Sequence, residues 1–261
     1  MLRLFRDRRR RAVMARPFPD AWREALRRMR LYRILDEAER AELRRKVAVF
    51  LDEQRFEGCA GLEMTDEIRV TIAAQACLLL LGRPDEHYPR LGSILVYPDR
   101  YIAPTTQRMP DGSLASRPQA RLGEAWLGGN VVLSWRDAER GAVDAHDGHN
   151  VILHEFAHTL DGADKNMNGT PRLEHKCCYA SWARVLGGEF NTLRRNLRSG
   201  RVSLLHPYAA TNPAEFFAVA TETFFEQPNL LREHHPELYK QLSRFYRQDP
   251  AERVHRSGAL P

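Results

Sequence analysis

The chain has 261 residues, 43% apolar and 28% charged, with a net charge of +6. That is enough for one domain, or a core with an appendage, stabilised without disulfides. The balance excludes a disordered or collagen-like chain, and the longest apolar run, IAAQACLLLLG at 72–82, is too short to cross a bilayer and contains Gln75.

The first 33 residues carry 12 Arg against Asp7, Asp20 and Glu24. Residues 1–16 therefore read as a basic, flexible arm. MLRLFRDRRRR lacks the apolar stretch of a signal peptide. Such an arm can meet phosphates or acidic protein surfaces, but no interleaved aromatics or base-reading motif accompany it, which weighs against direct nucleic-acid binding. Residues 19–30 and 36–53 have helical spacing. Asp36 caps the second run, and Leu43, Val47, Phe50 and Leu51 form its apolar stripe. Together they predict an N-terminal helical hairpin, residues 17–54, packed on a main unit of residues 55–261.

Thr65 opens a further helix, TDEIRVTIAAQACLLLLG, which Gly82 stops. From 91 to 135 the pattern shortens to brief β-rich runs, SILVYP, YIAP, EAWL and NVVLSW, broken by Pro, Asp-Gly and Gly-Gly-Asn. Residues 104–121, rich in Pro, Arg and Gly, read as a loop. GGNVVLSW at 128–135 reads equally as a sheet edge, where an extended peptide could add as a strand, or as an internal strand with no substrate role. A helix around 150–162 follows, then a long polar segment, a helix near 178–198, another from Asn212 to about Glu226, and a closing HPELYKQLSRFYR. This order predicts an α+β fold with a small mixed sheet and a buried central helix. Cys59, Cys77, Cys177 and Cys178 follow no CxxC spacing and read as reduced thiols of a cytoplasmic protein.

The chemistry concentrates in HNVILHEFAHTLDGAD, residues 149–164. His154 and His158 are four apart, so a helix puts both imidazoles on one face, within reach of one ion. Glu155 lies beside that ion and can take a proton from water there. This is the HExxH pattern of zinc peptidases. Val151, Ile152, Leu153, Phe156, Ala157 and Leu160 surround the three. Unpaired polar groups in such a helix would cost several kcal/mol each, and a cation removes that cost for the imidazoles. The competing reading is a pair of core histidines bonded to carbonyls.

A catalytic zinc needs a third protein ligand and an open position. Asp164 would suit a pattern with Gly at 161, but 161 is Asp and the Gly comes at 162. Asp161 instead suits a carboxylate holding an imidazole N–H. The better third ligand is Glu215, in the first turn of a helix capped by Asn212 and begun by Pro213; the same Asn-x-x-Glu spacing is also a capping box. Glu222, two turns on, is the alternative, with His206 and His175 behind it. Tyr208, just before that helix, could donate to a developing oxyanion, although a tyrosine there also serves for packing.

HEFAHTLDGAD, YAATNPAEFFAVATETFFE and RFEGCAGLEMTDEIRVTIAAQACLLLLG together resemble the Mlc titration factor A family of zinc metallopeptidases, over roughly residues 17 to 250. That family also resembles the catalytic domain of anthrax lethal factor. The resemblance implies a zincin-like core around the HExxH helix and one Zn2+ per chain on His154, His158 and Glu215. Glu155 would be the general base and Tyr208 the oxyanion donor. It also implies aminopeptidase-like hydrolysis of short peptides in the cytoplasm and, for some members, binding to a transcriptional repressor of sugar uptake. The reading is thus a zinc peptidase acting on a peptide substrate. A repressor-binding regulator with a mainly structural zinc site is the alternative.

Overall fold

The structure, a computed structural model, describes residues 2–83, 86–88, 91–99, 101–108, 114–121, 123–125, 129–144, 146–164 and 166–258, with backbone alone for 2–4 and 101–125. The basic N-terminus, expected as a flexible arm, forms helix α1 (Leu2–Met14) against α4 (Glu37–Glu53). Acidic residues at the end of α4 offset the charge of two α1 arginines: Arg9 Nε lies 2.7 Å from Asp52, and Arg10 grips Glu53 through two contacts of 2.7 Å. Between them run α2 (Asp20–Arg28) and the short α3 (Arg30–Arg33). The expected helical hairpin is present as helices but not as a pair. Both α2 and α4 pack chiefly on α5 (Asp66–Leu78). The reason lies in α5 itself, which is buried on every side from Val70 to Leu78 and so attracts several partners.

Thr65 caps α5 as its sequence predicts, accepting the Ile68 N–H. The chain then turns at Gly82, where a Cβ would fall 2.2 Å from the Arg247 carbonyl oxygen, so only glycine fits.

The sheet holds β1 (Phe56–Gly58), β2 (Ile94–Tyr97), β5 (Gly123–Ala125) and β6 (Val131–Ser134), in the order β1-β2-β6-β5. The first three neighbours run parallel, with Val96 opposite both Gly58 and Leu133, and β5 is antiparallel to β6. The sheet is therefore mixed. All four β6 residues are buried, and β6 lies between β2 and β5, so of the two readings of 128–135 the structure has the internal strand; among the described residues the edges are β1 and β5. The remaining strands, β3 (Tyr101–Arg108) and β4 (Leu114–Arg121), form an antiparallel ribbon across most of the segment expected as a loop. A two-stranded ribbon has free edges on both sides, which tolerate Pro104 opposite Pro118.

From Ser134 the chain passes straight into α6 (Trp135–Val143), which composition alone does not reveal, and then α7 (Val151–Asp161). There follow α8 (Cys178–Arg198), α9 (Pro213–Glu226), α10 (Pro228–His234), α11 (Pro236–Tyr246) and α12 (Pro250–Ser257). The last four each open on a proline, whose missing N–H would go unpaired in a first turn anyway. Helix α7 lies at the centre. Phe156 meets Phe50 and Tyr88 on one side, while Trp182, Phe217 and Phe245 interlock on the α9 side. Among the described residues no helix is long and apolar enough to cross a membrane.

Candidate metal centre

Asn150 ends the loop before α7 and caps it, its side-chain oxygen accepting the Leu153 N–H at 3.0 Å. The helix then carries His154 and His158 one turn apart on the face turned to α9. Asn212 caps α9 by accepting the Glu215 N–H, which fixes Glu215 in the first turn while leaving its carboxylate free to reach α7. Three atoms converge: His154 Nε2 and Glu215 Oε2 are 3.0 Å apart, and His158 Nε2 lies 3.2 Å from each. Two ligands of one tetrahedral zinc, with bonds of about 2.0–2.1 Å, stand roughly 3.3–3.5 Å apart. The triangle is thus a few tenths of an ångström tighter than a bound ion would set it.

Glu222, the alternative ligand, has a different place. Its Oε1 lies 2.7 Å from His154 Nδ1, the nitrogen away from the triangle, and its Oε2 accepts the Asn150 N–H at 2.6 Å. A carboxylate on Nδ1 leaves the Nε2 lone pair aimed at the shared point, the tautomer that a metal ligand needs. Burial alone would lower the His154 pKa, but Glu222 and Glu215 outweigh it and raise it well above the usual value. The same contacts run in reverse at Glu215: despite burial, the two imidazoles hold its pKa well below the carboxylate range. A cation at the shared point would take the place of that proton.

Glu155 is buried, and its Oε2 has no partner among the described residues. Burial pushes its pKa up to about 7, against the pull of His154 and His158. Tyr208, on the 3-10 turn Pro207–Ala210, sets its ring 6.1 Å from the His154 ring and is half exposed.

The other candidates fall elsewhere. His206 caps that 3-10 turn and packs edge-on against His149. His175 is exposed, 3.7 Å from Glu174. Asp164 accepts the Asn166 N–H. Asp161, expected to hold an imidazole, instead accepts the Gly169 N–H at 2.7 Å; its Oδ1 and His158 Nδ1 are both buried without a partner among the described residues.

Sequence reasoning missed the residues that tie the site to the core. The Asn150 amide donates to Gln75 of α5 at 2.6 Å, Glu226 of α9 at 2.9 Å and the Gly141 carbonyl of α6 at 3.1 Å. Two clues were available in the sequence: an Asn directly before an apolar helix, and Glu222 and Glu226 four apart on a mostly apolar one.

A profile of the glucose-regulated metallo-peptidase M90 family matches residues 4–247. The chain belongs to that family. A protein of Synechocystis sp. is 40% identical over 248 residues, covering 94% of this chain and 90% of its own. Mlc titration factor A of Serratia proteamaculans is 31% identical over 243 residues, covering 91% of this chain and 90% of its own, and that of Escherichia coli (strain SMS-3-5) is 30% identical over 240 residues, covering 91% and 89%. The latter two carry the name of the family resemblance found in the sequence. An M90 metallopeptidase implies a metal. The donors present fit one, since two imidazoles and a carboxylate meet at a single point with a carboxylate behind one ring.

Proposed function

We propose that the protein is a zinc-dependent peptidase with a zincin-like core, in which His154, His158 and Glu215 hold the ion. The observation that carries this reading is the convergence of those three donors beside a buried, singly unpartnered Glu155. Zinc bound there would polarise the scissile carbonyl and ease deprotonation of water.

The chain's own groups do the rest. Glu155, with its pKa near neutrality, accepts a proton from water and passes it to the leaving amine nitrogen. Tyr208 donates its O–H to the oxygen on which charge develops. Glu222 keeps His154 in the ligating tautomer. The free edge of β5, beside α7, offers backbone groups to an extended peptide. Aminopeptidase-like action on short peptides is the substrate reading that the family resemblance favours. The four cysteines are all free, which suits the cytoplasm.

Glu155→Gln keeps the shape and removes the base. The variant should bind about one zinc per chain and lose at least about a hundredfold in peptide hydrolysis; equal turnover by the two proteins would overturn the assignment. Glu215→Ala should lose the metal itself.

A regulatory reading rests on a separate observation, the name Mlc titration factor A borne by relatives of about 30% identity. On that reading a transcriptional repressor is a protein partner. A pull-down with purified Mlc tests it, and Glu155→Gln should bind as the wild type does.

A further inference from the structure

A cavity of about 770 Å³ reaches α7 at Thr159 and Leu160, but none of His154, Glu155, His158 or Glu215 lines it. Leu80, Leu160, Leu173, Trp182 and Phe245 give it an apolar wall. Four guanidinium groups also line it: Arg83, Arg172, Arg244 and Arg247. Two are balanced. Arg83 lies 2.8 Å from Glu86, with its guanidinium carbon 4.9 Å from the centre of the Phe245 ring, and Arg247 lies 2.8 Å from Glu174.

Those two glutamates are the only carboxylates among the described lining residues, and both are engaged. Arg172 and Arg244 have no ion-pair or hydrogen-bond partner among the described residues, so they bring two uncompensated positive charges to one concave wall. Guanidinium is the group that reads carboxylate and phosphate through paired hydrogen bonds. The volume falls within the range of organic-ligand sites, roughly 300–1,000 Å³, and such sites pair apolar walls with a few convergent polar groups.

We propose that this cavity binds a small organic anion, a carboxylate or phosphate on an aromatic or branched aliphatic body, with Arg172 and Arg244 on the anion and Leu160 and Leu173 against the body. The site is separate from the peptidase centre and does not depend on it.

Calorimetric titration of the full chain tests it with four probes: phenyl phosphate, hydrocinnamate, inorganic phosphate and phenol. Phenyl phosphate or hydrocinnamate should bind one to one with a submillimolar Kd, and the tighter of the two identifies the headgroup. Inorganic phosphate, lacking the body, and phenol, lacking the anion, should each bind at least about tenfold more weakly. Arg172→Ala and Arg244→Ala, each made singly, should weaken the better probe at least about tenfold. Both side chains are exposed, so the ligand-free melting temperatures should stay at the wild-type value. Three results would overturn the proposal: no binding of either organic anion at about 10 mM, unchanged affinity in both variants, or inorganic phosphate or phenol binding as well as the organic anions.

Discussion

Glu222 Oε1 stands 2.7 Å from His154 Nδ1, and the same carboxylate accepts the Asn150 backbone N–H with its other oxygen at 2.6 Å. One acidic side chain of α9 thereby sets both the orientation of the ring proposed to bind the metal and the start of the helix that carries it. Glu222→Gln keeps the length but turns an N–H toward one of those two donors. Zinc affinity, read by competition with a chromogenic chelator, should fall about 10–100-fold. Unchanged affinity would mean that the ring is held by packing alone.

Asn150 invites a sharper test, because capping and network make opposite forecasts. Aspartate caps helices as well as asparagine, so a pure cap would tolerate Asn150→Asp. The Asn150 amide, however, also donates to Gln75 and Glu226. A carboxylate there would lose both donors and place a second acid against buried Glu226, whose pKa burial already raises well above the carboxylate range. Asn150→Asp should therefore cost at least about 2 kcal/mol in urea unfolding. A stability equal to wild type would reduce Asn150 to a cap.

The acid limb of the stability profile should carry the mark of His87. Burial, with Arg10 and Lys46 nearby, holds its pKa down to about 4, against the weaker pull of Glu53 and Glu42. An unfolded histidine titrates near 6.5. Between about 4 and 6.5 the unfolded chain thus binds a proton that the fold refuses, and stability falls as pH falls through that window. Above it the contribution is fully present, and below about 4 the loss is complete. In His87→Gln this dependence disappears, so wild type should lose more stability than the variant between pH 7.5 and 4.5. Parallel losses would contradict the assignment.

What could be read from sequence was what is local in the chain. The four-residue spacing of His154 and His158, the caps Thr65 and Asn212, and the placement of Glu215 in a first turn all follow from helix periodicity and capping. Glu222 shows where that reasoning ends. Periodicity places it two turns beyond Glu215, but only the angle at which α9 crosses α7 decides whether it meets Nε2 or Nδ1 of the His154 ring. The same limit explains α1. Its arginines look self-repelling until Asp52 and Glu53, 43 residues away, are brought alongside. For 104–121 the compositional signal misled, since proline argues against a central strand but not against a ribbon with two free edges.

Gly169 joins the two helices of the site, and its replacement should separate them. It sits at φ +75°, and a Cβ there would lie 2.2 Å from the Pro213 carbonyl oxygen, two residues before Glu215. Its N–H goes to Asp161 at the end of α7, and its carbonyl accepts the Trp182 indole N–H at 3.0 Å. Gly169→Ala combines a left-handed backbone with a backbone clash, so either the loop or the first turn of α9 must move. The expected loss is at least about 2 kcal/mol in urea unfolding. The fraction that still folds should bind zinc more weakly, because Glu215 is displaced from the two imidazoles. Gly187→Ala is the matched control: on α8, with nothing within 4 Å of the added Cβ, it should stabilise by about 0.5–1 kcal/mol and leave zinc affinity alone. If Gly169→Ala were as stable and as tight for zinc as the control, the loop after α7 would have no part in setting the distance between the helices.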